Sequence, residues 1–383
     1  MNLRHPTFEG NAVSISGAEF RLNGQPTYKG REFEGHRVQG LLFNVRAVQA
    51  AFDDANRGTR HLWAYPDTGE WHPDRNTEEF CAALCSWRDH GVSAFTINFQ
   101  GGGPLYAPEI YEEFDNNGFT PEGHLKPAYA GRISRVLSRA DELGMVVIVG
   151  LFYCVHIRKM RDESAVWSAA HEALEFLEAT GHRNLLVEMA NETSAAFGYE
   201  IFLPERAHET IGKLRAAHPR FLYSTSLVGV NAETGQGMPP ASLVEASDFV
   251  LLHGNETRPA QLAAAVQAVK AMPGYELHPK PIVINEDSPG LPNLEAAWRN
   301  GASWGYFDQG FGGAAAFAGD AYVDYRSRPR ETRYGELSGF QTPPVNWSIN
   351  TDLKRAFFRR VAEITGCEGG RNRHGWPGEE AAA

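Results

Sequence analysis

Residues 185–192 read LLVEMANE, a short apolar run that ends on Asn191-Glu192. Two later runs close the same way: FVLLHGNE, 249–256, on Asn255-Glu256, and PIVINE, 281–286, on Asn285-Glu286. Each has the length and apolar content of a buried strand. A carboxylate at the C-terminal tip of a parallel strand is where barrel enzymes hold their chemistry. The question is which two of these glutamates act together.

Working outward, eight such runs can be read: 40–45 (GLLFNV), 93–99 (SAFTINF), 145–151 (MVVIVGL), 184–190 (NLLVEMA), 221–226 (FLYSTS), 248–253 (DFVLLH), 281–286 (PIVINE) and 302–308 (ASWGYFD). Helical patterns intervene near 77–90, 128–143, 164–179, 204–217, 259–271 and 293–300, and a last one, 351–365, follows the eighth run. The link 227–247 is the least regular. Strands alternating with helices call for a parallel sheet, and eight of them for an α/β protein closed as a (β/α)8 TIM barrel. No GxGxxG follows the first strand, which removes the main support for a dinucleotide-binding sheet. Before the first strand, ISGAEFRLNGQPTYKG reads as a hairpin turning at Asn23-Gly24, placed to plug the barrel bottom. Residues 1–366 read as one catalytic domain, and 367–383, rich in Gly, Ala and charge, as a flexible tail.

A net charge of −11 with no run of Lys or Arg argues against phosphate-driven nucleic-acid binding. No stretch approaches the ~20 apolar residues of a membrane span, and the N-terminus lacks a signal-peptide pattern, so a cytoplasmic location is expected. Cys81 and Cys85 are four apart, a spacing of neither redox nor zinc motifs, and with Cys154 and Cys367 are expected to be buried thiols. Asn191, Asn255 and Asn346 begin glycosylation-type triplets, read as coincidence in a chain expected to stay inside the cell.

Three connections, 46–76, 100–127 and 309–350, are far longer than usual and belong on the C-terminal face. They carry Trp63, Tyr65, Trp71, Tyr106, Tyr111, Tyr322, Tyr325 and Trp347. Singly, such rings pack loops onto a barrel; as a set, they suit the apolar faces of sugar rings.

Strand parity separates the glutamates. In the fourth strand Leu185, Val187 and Met189 share one face and Glu188, Ala190 and Glu192 the other, so Glu192 should point inward at the rim and Glu188 lie deeper. Glu286 is expected inward on the seventh strand, with Ile282 and Ile284 on its parity. Strands three apart in an eight-stranded barrel face each other across ~13 Å, which two inward glutamates reduce to ~5–6 Å. Retaining glycosidases hold their two carboxylates about 5–5.5 Å apart. Glu256 has the parity of Leu252 and Gly254, opposite to His253, so an inward His253 turns Glu256 away. Asn98, Gln100, Asp308 and Arg46 are further candidates for hydroxyl recognition at strand ends.

The EMANE motif with Asn191-Glu192, together with Glu286 ending the seventh strand, resembles the clan of retaining (β/α)8 glycoside hydrolases that includes the family 5 cellulases and mannanases. The resemblance implies Glu192 as acid/base, Glu286 as nucleophile, Asn191 as donor to the sugar 2-hydroxyl, and substrate or nucleophile contacts for His156, His253 and Trp304. It implies cleavage of a β-glycosidic bond in a carbohydrate substrate, with no cofactor. The long loops suggest exo-action on short glycosides. Two departures stand out: Thr193 follows Glu192 where Pro is frequent, and no Tyr lies two residues after His253, which leaves the nucleophile's hydrogen-bond partner open, with Tyr306 or a 309–350 aromatic as substitutes. Other readings are a metal-dependent sugar isomerase-like barrel using Glu192, Glu286, His253 and Asp308 as ligands, and a non-hydrolytic sugar-binding barrel. A strand-end Glu can also merely cap a helix or pair with a loop Arg.

Overall fold

The computed structural model describes residues 10–102, 112–308, 339–341 and 345–367. Eight parallel strands form its centre: Asn44–Arg46, Ala94–Asn98, Val146–Tyr153, Leu185–Asn191, Leu222–Ser224, Val250–His253, Ile282–Glu286 and Ser303–Tyr306. Their ladder runs fifth, fourth, third, second, first, eighth, seventh, sixth, so its two ends are the short fifth and sixth strands, between which the Asp248 amide donates to the Tyr223 carbonyl at 2.8 Å. Each strand found is one of the eight runs read above. Helices Pro73–Asp89, Pro127–Glu142, Glu163–Ala179, Ala207–Ala217, Pro259–Lys270, Leu291–Arg299 and Asp352–Thr365 follow successive strands, with a short helix, Ala241–Ala246, inside the irregular 227–247 link.

Burial on both strand faces yields two apolar clusters. The larger one lies between sheet and helices, and holds Leu185, Val187, Ile282, Ile284 and Trp304. The smaller one fills the lower barrel with Leu42, Ala94, Val146, Ile148, Leu186, Phe249, Leu251 and Val283. Phe20 and Leu22 of the N-terminal segment complete this inner cluster, so the hairpin does close the barrel bottom. The segment pairs Val13–Ser16 with Glu19–Leu22 and then turns back at Asn23-Gly24 onto Gln25–Pro26. Asn23 and Gly24 both have positive φ, 53° and 75°, as a two-residue hairpin turn of matching twist requires.

The cysteines depart from expectation. All four are free, but Cys85 is exposed and Cys81, Cys154 and Cys367 are only partly buried. Helix positions facing the layer edge, rather than its centre, account for Cys81 and Cys85. Among the described residues no helix is long and apolar enough to cross a membrane.

Candidate active site

The fourth strand keeps its alternation as far as Glu188 and then breaks it, with Ala190 joining Leu185 and Val187 in the helix-side cluster and Asn191 turning onto Arg46 in the pocket. Glu188 points inward, fully buried, and accepts a hydrogen bond from Ser226 Oγ at 2.6 Å and one from Asn285 Nδ2 at 3.1 Å. The strand ends at Asn191, and Glu192 adopts φ 57°, a left-handed conformation that is costly for a residue with a Cβ. Ser226, just past the fifth strand, holds that bend: its Oγ accepts from the Glu192 amide at 3.0 Å, and its carbonyl accepts from the Thr193 amide at 2.9 Å. Thr193 thus has a structural use where Pro, which lacks an N–H, would have none.

The seventh strand reaches the same rim by a different device, which corrects the parity expected for it. Ile282 and Ile284 face the helices, and Val283 faces the barrel interior. Asn285 also points inward, onto Glu188. Simple alternation would turn Glu286 outward. Instead the register shifts: Leu252 pairs with Ile284 but His253 pairs with Glu286, so Asn285 is an extra residue. This β-bulge re-aims Glu286 into the barrel mouth, a common use of bulges beside active sites.

The two carboxylates meet. One oxygen each of Glu192 and Glu286, and one ring nitrogen of His253, lie within 4.8 Å of one another. Glu286 is nearly buried, with its side chain 7% exposed, and is held by two donors: Arg46 Nε at 2.6 Å and Asn255 Nδ2 at 2.8 Å. Both are donors, one of them charged, to a carboxylate. Arg46, 2% exposed, also donates from Nη2 to Asn191 Oδ1 and stands 3.5 Å from Glu188. A single guanidinium therefore ties the first, fourth and seventh strands together at the base of the pocket.

His253 Nδ1 lies 3.0 Å from Glu192 and 3.8 Å from Glu286. Burial alone pulls an imidazole's pKa down, but the Glu286 and Glu192 charges outweigh it and hold His253 above its ordinary value. Next to Glu286, burial pushes the Asp287 carboxyl up to about 7, although Trp304, Asn293 and Ser288 all donate to it.

The pocket over this cluster is lined by Arg46, Asn98, Tyr153, Asn191, Glu192, Asn255, Glu256, Glu286, Phe307 and Gln341, among others. Of the residues singled out in the sequence, Glu192, Glu286, Asn191, Asn98 and Arg46 line it, and His253 sits buried beneath, against the two carboxylates. Asn98 finds room because the neighbouring strand carries Gly150, whose Cβ would fall 2.4 Å from Asn98 Oδ1. Arg46 contacts carboxylates and Asn191 rather than standing free for hydroxyls.

Other candidates turn away. His156 is buried outside the pocket, its Nε2 on the Gly101 carbonyl at 2.7 Å, and burial depresses its pKa to about 3. Trp304 lies in the helix layer against Phe357 and donates to Asp287 at 2.8 Å. Asp308 is buried beside Tyr306 and Lys354, whose titration it influences. Gln100 spends its side chain on Asn117 and the Tyr153 amide. Tyr306 shares Trp304's face and packs on Phe340 and Phe357, while the amide that donates to Glu286 is that of Asn255. Glu256 is exposed at the rim with φ 58°.

Of the loop aromatics, Trp63, Tyr65 and Trp71 pack with one another and with Phe52, and Trp347 stacks on Phe340. These are loop cores, not pocket walls. Tyr106, Tyr111, Tyr322 and Tyr325 lie outside the described residues. Tyr153, Phe307 and Gln341 line the pocket without having been singled out; Phe307 follows Tyr306 and so takes the opposite face, a signal that strand alternation offered.

No family model matches the sequence, and no curated protein matches it. Solved structures do. A glycoside hydrolase family 5 mannosidase from Rhizomucor miehei superposes with a TM-score of 0.50 at 10% identity, covering 94% of this chain and 98% of that one. A β-1,4-D-mannanase from Cryptopygus antarcticus gives 0.46 at 15% identity over 88% and 100%, and an endo-1,4-β-D-mannanase from Thermotoga petrophila 0.46 at 13% over 85% and 99%. At such identities the likeness is one of fold: the chain is a (β/α)8 barrel of the kind found in the family 5 mannosidase.

Proposed function

We propose that the protein is a retaining glycoside hydrolase that cleaves a β-glycosidic bond by double displacement. The observation that carries this reading is the carboxylate pair: oxygens of Glu192 and Glu286 come within 4.8 Å, below the ~6.5–9.5 Å between carboxyl groups that an inverting enzyme needs for an intervening water. Their surroundings also differ as the two roles require. Glu286, buried and held by Arg46 and Asn255, is the anion that attacks the anomeric carbon. Glu192, with its side chain 30% exposed, protonates the leaving oxygen and then takes the proton of the water that hydrolyses the glycosyl-enzyme. His253 Nδ1, 3.0 Å from Glu192, fixes the orientation of that carboxyl.

The metal-dependent alternative fits less well. Glu192, His253 and Glu286 cluster, but Asp308 is turned away, and the Arg46 cation already occupies the Glu286 oxygen that a metal would need. Exo-action draws no support from the described residues, since the aromatics of the 46–76 loop pack internally.

The mannosidase name of the structural neighbour makes aryl β-mannosides the first substrates to try, within a wider panel of aryl glycosides. With an accepted substrate, proton NMR of the first-formed sugar is expected to show the β-anomer; an initial α-anomer overturns double displacement. Glu256→Ala is expected to keep kcat within about threefold of the parent, because Glu256 stands at the rim and takes no part in the chemical step. A loss comparable to that of the Glu192 variant would move the acid role to Glu256.

A further inference from the structure

Two asparagines flank the carboxylate pair, and the charges around them fix which way each amide faces. Asn191 meets Arg46 Nη2, which can only donate, so its Oδ1 faces inward and its Nδ2 is the atom turned elsewhere. Asn255 meets Glu286 Oε1 at 2.8 Å; Glu286 already accepts from Arg46, so Asn255 must present Nδ2. Its Oδ1 is then left buried without a hydrogen-bond partner among the described residues, in a side chain that lines the pocket. Asn98 Oδ1 is a second buried acceptor of this kind, and Gln341 Nε2 a buried donor. Buried polar atoms without partners are rare because each forfeits its hydration. Asn98, Asn255 and Gln341 all line the one pocket, so a hydroxylated ligand bound there can supply the missing bonds.

We propose that Asn255 works in two directions in the hydrolysis inferred above, on which this proposal rests: its amide N–H orients Glu286, and its carbonyl accepts a hydrogen bond from a hydroxyl of the reacting sugar ring. The amide's N and O are about 2.3 Å apart, so Oδ1 reaches no more than ~5 Å from the Glu286 oxygen, and a reacting carbon sits about 3–3.5 Å from a nucleophile. The hydroxyl that Asn255 reads therefore lies on the ring undergoing attack. A substrate lacking it leaves Oδ1 unpaired and loosens the same side chain that aims the nucleophile. Binding and bond cleavage are thus coupled through one amide.

The test uses the full chain, an aryl glycoside the parent enzyme hydrolyses, and the monodeoxy analogues of that glycoside. The parent should disfavour one deoxy analogue by about 10- to 100-fold in kcat/KM through the Asn255 contact. Asn255→Leu, near-isosteric but unable to donate or accept, should lower kcat/KM on the full substrate by about 100-fold. It should also reduce discrimination at that one position to about threefold while leaving the other positions unchanged, and move the acidic limb of the pH profile to higher pH. Should Asn255→Leu fail to fold, Asn255→Asp carries the test: it keeps the accepting oxygen, and so the discrimination, but loses the N–H, and so kcat. A uniform loss across the deoxy series with an unmoved acidic limb would reduce Asn255 to a structural role and overturn the proposal. If the parent hydrolyses no glycoside, the hydrolase reading fails and the proposal falls with it, an outcome seen in the parent alone.

Discussion

Glu286→Ala is expected to lower kcat on any accepted aryl glycoside by ~10⁴-fold or more, equivalent to about 5.5 kcal/mol in the barrier. The size of the effect follows from what Glu286 does in the reading above. It forms the covalent bond to the anomeric carbon, and no other described carboxylate can take its place: Glu188 lies deeper and spends its oxygens on Ser226, Asn285 and Arg46. Glu192→Ala should differ in kind. A good phenolate leaving group needs little protonation, so its release continues, while hydrolysis of the glycosyl-enzyme slows because the water has lost its base. Added azide, a nucleophile that needs no base, should restore turnover of Glu192→Ala and yield a glycosyl azide of the substrate's β-configuration, whereas in Glu286→Ala azide can only attack directly from the space the carboxylate left, so any azide product there should be the α-anomer. Near-normal activity in either variant contradicts the assignment.

The second large effect concerns stability as much as catalysis. Arg46 is buried against Glu286 and Glu188, and Glu188 is fully buried. Arg46→Met keeps much of the side-chain length but leaves two carboxylates facing each other without a cation. Removing one partner of a buried ion pair costs about 3–5 kcal/mol, because the remaining charge stays desolvated. Urea unfolding should show that loss, and kcat should fall as well, since Glu286 loses its closest donor. Adding Glu188→Gln to Arg46→Met should recover most of the stability by removing the stranded charge, but not the activity. An Arg46→Met protein as stable as the parent would contradict a structural role for this buried ion pair.

How much of this was legible beforehand depended on which pattern carried it. The eight strands and their intervening helices were readable because each strand is an apolar run bounded by an amphipathic helix. Glu188 was readable as inward from alternation, since it interrupts an apolar face, whereas Asn191 and Glu192 reach the pocket past a break in that alternation and a left-handed residue at Glu192. The seventh strand was not: Ile282, Val283 and Ile284 are all apolar, as in a strand buried on both faces, and such a run hides parity and bulge alike. The expected facing of Glu286 was therefore right for a reason the structure replaces, the extra residue Asn285. His156 and Asp308 follow strands and Trp304 lies on the eighth strand, as read, but such a position does not say which side of the wall a side chain takes. Nothing in the Asn255-Glu256 dipeptide distinguishes Asn255 from Asn191 or Asn285 in the sequence; its contact with Glu286 is set by the fold. Glu192 and Glu256 even share the same left-handed backbone, φ 57° and 58°, yet one enters the cluster and the other reaches the rim.

The most direct test of the carboxylate assignment is to incubate the protein with a 2-deoxy-2-fluoro glycoside bearing a good leaving group, then digest it and map the modified peptide by mass spectrometry. The fluorine slows both steps but the leaving group preserves the first, so the glycosyl-enzyme accumulates. The expected result is a single fluoroglycosyl group, esterified to Glu286, in the peptide that contains PIVINE. A label on Glu192 or Glu256, or steady turnover of the parent glycoside by a protein that never takes the label, would contradict the assignment of Glu286 as the nucleophile.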